Sequence, residues 1–231
     1  MDATPTAELI RARHERLLRR LREVAAENGH DPDRLRIIGV TKTHPVHVAR
    51  AAFDAGLTRL GESRVQEAEP KVAALPEAEW HFIGRLQSNK ARRAVRAFPV
   101  IHSVDSTELL DRLAELAADE GQQPQLLLQV NVTGEATKAG LAPDALLAEP
   151  VVGRLGAANA IGLMTIAPMG ATDDQARDAF RRLRELRDRL EQAAGIGLPE
   201  LSMGMSADAE AAAAEGATLV RIGTALFGPR P

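Results

Sequence analysis

The chain has 231 residues, of which 45% are hydrophobic and 26% charged, with a formal net charge of −3 and no cysteine. This length suits one domain over 1–231, the absence of cysteine rules out a disulfide framework or a thiolate site, and the net charge supplies no basic field for nucleic acid. The absence of an apolar run long enough for a membrane helix, and of a secretory signal at the start, points to a cytoplasmic protein with no membrane contact.

The first element is a helix over 6–28. Ile10, His14, Leu17, Leu21 and Val24 recur at spacings of four and three, which puts them on one face, and Gly29 follows as a stop. From there, short apolar runs alternate with helical stretches. Strands are expected at 35–41, 59–61, 80–83, 100–103, 125–131, 160–164, 200–202 and 218–222. Helices are expected at 45–55, 65–75, 89–97, 106–119, 143–149, 172–194 and 207–215, with a short one after Gly223. The helix at 172–194 is the clearest, because Ala176, Phe180, Leu183 and Leu190 form an apolar stripe among many charges. Strands that are apolar on both faces and alternate with helices indicate a parallel sheet under helices. Eight such units fit an α/β fold of the single (β/α)8 TIM barrel type, with the N-terminal helix as an extra element packed on the barrel. An open doubly wound sheet is the alternative, but no GxGxxG follows the first strand.

Barrel active sites lie at the carboxyl ends of the strands. Lys42 stands at the end of the first strand in IIGVTKTHP, on the side shared by Ile38 and Val40, and so faces the mouth. A lysine at a strand end can simply reach to solvent, whereas one in a partly apolar mouth has its pKa lowered and can attack an aldehyde to form a Schiff base. The segment LSMGMS, with Ser202, Met203, Gly204 and Ser206, follows the seventh strand, and Gly223 and Thr224 follow the eighth. The loops after these two strands commonly hold a phosphate in barrels. Taken singly, the same residues read as helix caps and turn glycines. Ser206 would begin a helix that carries Asp208 and Glu210 in its first turn, so the Gly223–Thr224 end is the favoured cradle. Arg221 lies in an apolar strand on the face of Leu219 and should point inward. It needs a partner there, either a carboxylate such as Glu62 or a ligand.

These residues lie in segments that resemble the pyridoxal phosphate homeostasis protein family, single-domain relatives of the alanine racemase barrel. The segments are GVTKTHP, GESRVQEAEPK, WHFIGRLQSNK, LQVNVTGEATKAG, GLMTIAP, LSMGMSADAEAA and VRIGTALFG, spread from about residue 35 to 228. The resemblance implies a fold-type III barrel with pyridoxal 5′-phosphate (PLP) on Lys42, phosphate around Ser202, Gly204, Gly223 and Thr224, and Arg221 toward the pyridine nitrogen. Glu62, Ser63, His81, Asn131 and Met164 fall near the implied pocket, though a lone histidine in an apolar strand such as His81 is more often a satisfied core residue and Met164 reads as packing. One departure stands out: the family usually reads GENYVQE, and here Ser63 and Arg64 replace the asparagine and tyrosine.

Three functions follow for comparison. The first is a carrier that holds PLP and supplies it to apo-enzymes, expected to be a monomer and not an enzyme. The second is an amino-acid racemase, which needs an acid/base on each face of the cofactor; in the resembling racemases the second is a tyrosine from a separate C-terminal domain, and this chain has no tyrosine. The third is a barrel that binds a phosphorylated metabolite without any Schiff base.

Overall fold

The computed structural model describes residues 5–135 and 139–229; of the segment LQVNVTGEATKAG, the residues Ala136, Thr137 and Lys138 lie outside these, as do the ends of the expected 1–231 domain. Eight parallel strands close into a barrel in the order of the chain, with β1 hydrogen-bonded to both β2 and β8. They are β1 (Arg36–Val40), β2 (Arg59–Glu62), β3 (Glu79–Phe82), β4 (Val100–Val104), β5 (Gln125–Gln129), β6 (Ala160–Met164), β7 (Glu200–Met205) and β8 (Leu219–Ile222). The helices are α1 (Ala7–Glu27), α2 (Val46–Asp54), α3 (Val65–Ala74), α4 (Ala91–Ala97), α5 (Thr107–Glu120), α6 (Pro143–Leu146), α7 (Glu149–Val152), α8 (Asp173–Ala194), α9 (Ala209–Ala214) and α10 (Thr224–Phe227).

Local chemistry accounts for the clearest boundaries. Thr6 caps α1, its hydroxyl accepting from the Leu9 N–H, and Gly29 leaves the helix at φ 79°. Thr172 and Gln175 form a reciprocal capping box at the start of α8, and Gly195 ends it in the left-handed region at φ 64°. The predicted stripe of that helix, Ala176, Phe180, Leu183 and Leu190, is buried against the sheet. Each large side chain so buried contributes roughly 1.5–3 kcal/mol. Trp80 is buried in the same outer shell, and its Nε1–H donates to the Leu75 carbonyl at 3.0 Å.

Three expectations are corrected. The crossover after β5, expected as one helix over 143–149, is two short helices, α6 and α7. The fifth strand stops at Gln129 rather than Asn131, because the Asn131 side chain turns back to satisfy its own loop: its amide donates to the Glu135 carbonyl and its Oδ1 accepts from the Gly134 N–H. The seventh strand runs on to Met205, with its pairing to β8 shifted between Ser202 and Met205. The residue next to α9 is consequently Asp208, not Ser206, and Asp208 Oδ1 accepts from the Met205 N–H at 2.6 Å.

The extra helix α1 packs on α9, α2 and α10. Arg13 donates to the Leu226 carbonyl (2.8 Å) and Arg11 to the Asp54 carbonyl (2.7 Å), which fastens the helix across the β8–β1 seam.

Candidate cofactor site

Lys42 sits half-buried on a turn whose two ends are fixed. The His44 N–H bonds to the Thr41 carbonyl at 3.0 Å, and Thr43 takes φ 68°, a left-handed conformation that a β-branched residue rarely adopts. Strain of about 1–3 kcal/mol at such a residue persists only where its surroundings impose it. Here they do. The buried Thr41 hydroxyl donates to Glu62 Oε1 (2.7 Å), and the buried Lys71 Nζ donates both to that oxygen (2.6 Å) and to the Thr41 carbonyl (2.8 Å). Burial pushes the Glu62 carboxyl up, and Lys71 and Thr41 hold it against that rise. Glu62 therefore anchors the lysine turn and does not meet Arg221, which removes one of the two partners considered for that arginine.

Arg221 is buried, and its β8 backbone pairs with Ile38 on β1. Its guanidinium donates from Nη1 to Ser202 Oγ (2.6 Å) and from Nη2 to the Thr165 carbonyl (2.9 Å). Among the described residues it forms no ion pair, and burial pulls its pKa down to about 10. A buried cation held only by neutral oxygens is costly and suits an acceptor brought by a ligand.

The remaining candidates separate into two depths. Gly223, Thr224 and Ser206 lie at the exposed end of the barrel. Gly204 is buried at φ 89°, and a Cβ there would come within 2.5 Å of the Ala212 Cβ, so glycine is required to seat α9 under the β7 loop. Ser63 is half-buried, and its backbone leaves no room for a side chain at Gly84, whose Cβ would fall 2.1 Å from the Ser63 carbonyl oxygen. Asn131 lines a cleft of about 270 Å³ at the same end with Ile83, Arg85 and Ile166, and neither Lys42 nor Arg221 is in its wall.

Deeper lie Met164, Met203, His81 and Ser202. Met164 belongs to an inner apolar cluster with Ile38, Val100, Leu127 and Leu219, whereas Met203 belongs to the outer core. His81 bonds to His102 and Glu79, both at 2.8 Å. Ser202 turns its hydroxyl to His102 and Arg221, so the expected phosphate donor is committed inside the barrel. Sequence reasoning missed His102, Thr41, Lys71 and Glu79. Only the alternation within VIHSV, which gives His102 the same face as Val100, pointed to any of them.

Residues 15–231 match the family described as alanine racemase, N-terminal domain. The pyridoxal phosphate homeostasis protein of Aquifex aeolicus (strain VF5) is 42% identical, the match covering 94% of this chain and 97% of that one. The chain belongs to the pyridoxal phosphate homeostasis protein family. Another member, from Pseudomonas aeruginosa, is 46% identical over 91% of each chain. The solved structure of PipY from Synechococcus elongatus PCC7942 with PLP bound is 44% identical and matches with a TM-score of 0.79, covering 90% of this chain and all of that one. Lys42 follows β1 and Arg221 lies on the neighbouring β8, and a Cβ added at Gly223 would meet only ordinary contacts, 3.6 Å from the Val40 carbonyl oxygen and 3.7 Å from the Val40 Cβ.

Proposed function

We propose that this protein binds PLP covalently through Lys42 and holds the cofactor for supply to apo-enzymes, with no fast turnover of its own. The observation that carries this reading is the buried Arg221 guanidinium, without an ion pair among the described residues, at the same barrel end as the half-buried Lys42. Membership of a family whose curated relatives bear the homeostasis name, and the PLP bound in PipY, support it.

PLP supplies an aldehyde that captures amines and a pyridine ring that withdraws electrons when its nitrogen is protonated. Lys42 offers the amine, from a turn that Thr41, Glu62 and Lys71 hold in place. Arg221 offers an N–H to the ring nitrogen and, with a pKa still about 10, keeps its own proton at neutral pH, so that nitrogen stays unprotonated. Gly223 and Thr224, with the hydroxyl of Ser206, face the phosphate from the exposed rim. With no tyrosine in the chain, a racemase's usual second acid/base is missing, and Arg221 weakens the electron sink.

An absorbance scan of the purified protein, then borohydride reduction and peptide mass mapping, tests this reading. A yellow band and a pyridoxyl mass on the peptide containing Lys42 are expected. A protein that stays colourless after added PLP would overturn it.

A further inference from the structure

Four hydrogen bonds link the mouth of the barrel to its floor. Arg221 Nη1 reaches Ser202 Oγ (2.6 Å), Ser202 Oγ reaches His102 Nδ1 (2.8 Å), His102 Nε2 reaches His81 Nδ1 (2.8 Å), and His81 Nε2 reaches Glu79 Oε1 (2.8 Å). The path crosses the lumen from β8 and β7 to β4 and β3, through a space that barrels ordinarily fill with branched aliphatic side chains. Ser202, His102 and His81 are almost completely buried, whereas Glu79 is partly open at the floor.

The ends of the path determine its direction. A guanidinium can only donate and an ionised carboxylate can only accept, while a serine hydroxyl and each neutral imidazole between them donate once and accept once. With both histidines neutral, a single arrangement satisfies every atom. His81 carries its proton on Nε2, toward Glu79. His102 carries its proton on Nε2, toward His81, and Ser202 donates to His102 Nδ1 while accepting from Arg221. None of the buried polar atoms left without a partner among the described residues lies on this path.

Neutrality follows from the surroundings. Facing the pair are Glu79 on β3, Arg59 on β2 (3.3 Å from Glu79), Arg36 on β1, itself paired with Glu200 on β7, and Arg221 on β8. Burial drives His102 well below its ordinary value, with His81 and Arg221 adding to the effect, and burial also lowers His81 against the opposing pull of Glu79.

We infer that Ser202, His102 and His81 are positioning residues: they form a one-way hydrogen-bond chain, terminated at the floor by Glu79, that holds the Arg221 guanidinium in place for the cofactor ring. Each bond polarises the next, so the Glu79 carboxylate supports a guanidinium it does not touch. The final link, from Arg221 to the ring, rests on the PLP reading above; the rest of the chain does not.

Two measurements on the full-length protein test this. The first needs no cofactor: long-range 1H–15N NMR at neutral pH should find His81 and His102 each protonated on Nε2 alone, and Glu79→Gln should leave a mixture of tautomers at His81. A proton on Nδ1 of His102, or a doubly protonated ring, would overturn the inference. The second uses PLP as probe. Ser202→Ala should shift the absorbance maximum of the bound cofactor and weaken its binding about tenfold, the loss expected for one hydrogen bond to a charged group. Ser103→Ala, which removes a buried hydroxyl without a partner on the neighbouring strand position, should change neither. An unchanged spectrum and affinity in Ser202→Ala, or equal changes in both variants, would overturn the chain as a positioning device. If the parent protein takes up no PLP, the proposed function fails, and the tautomer measurement still judges the chain.

Discussion

Arg36 and Arg221 both lie on the β1–β8 seam, in register with Leu219 and Ile38 respectively, yet they meet opposite company. At the floor, Arg36 Nη2 contacts both oxygens of Glu200, at 2.6 and 2.5 Å, and Thr218 donates to the same carboxylate. Toward the mouth, Arg221 is more deeply buried and among the described residues donates to a serine hydroxyl and a main-chain carbonyl. A charge that the fold neutralises belongs to stability, while a buried charge left to neutral oxygens points to a ligand. Arg36 has its carboxylate, and Arg221 has neutral oxygens.

The largest effect should come from removing the mouth's amine. Lys42→Ala should abolish covalent capture of PLP entirely while far-ultraviolet circular dichroism stays that of the parent, since the side chain is half-exposed. Retained yellow colour after dialysis of that variant would break the assignment of the site.

Next, the two arginines should respond oppositely to the same change. Arg36→Met leaves Glu200 without its cation and should lower the unfolding free energy by about 2–3 kcal/mol, whereas Arg221→Met removes an uncompensated buried charge and should stay within about 1 kcal/mol of the parent. Arg221→Met should nevertheless alter the spectrum of bound PLP. Denaturant unfolding of the cofactor-free proteins, read beside absorbance of the loaded ones, decides whether the contrast is real. Equal destabilisation would erase it.

The buried histidines give a smaller effect with a definite sign. His102 and His81 have folded pKa values below 6.5, so as the pH falls the unfolded chain gains protons that the folded chain does not. Their contribution is present above the unfolded pKa and is lost as the pH drops through it, at no more than about 1.4 kcal/mol per pH unit for each histidine. Thermal unfolding followed from about pH 7.5 to 5 should show a falling midpoint, and His102→Gln should flatten the slope. A slope unchanged by that substitution would place the pH dependence elsewhere.

The smallest effect is expected at the exposed rim. Thr224→Ala should weaken PLP binding a few-fold, since one neutral hydrogen bond is worth about 1 kcal/mol, and should alter the spectrum less than Arg221→Met does. Titration by dialysis measures it.

The eight strands, the long helix α8 and the position of Lys42 were legible in the sequence because they rest on local signals. These are short apolar runs set between helical stretches, a 3.6-residue stripe, and a lysine in phase with Ile38 and Val40. The double helix after β5 was not legible, since four-residue helices leave no periodicity to read. Nor were the partners of the site. Glu62 lies nine residues from Lys71, and no spacing rule showed that the two would close over Thr41 and leave Arg221 to Ser202.

By itself, then, the sequence determined the order of elements and the chemical character of the mouth, because hydrophobic period and side-chain type act over a few residues. The tertiary structure decided which polar groups meet. Closing the barrel sets His102 of β4 against Ser202 of β7, a hundred residues away, and buries Arg221 without an ion pair among the described residues. Such pairings arise from closure across a lumen, where contact depends on the three-dimensional path of every strand and not on distance along the chain.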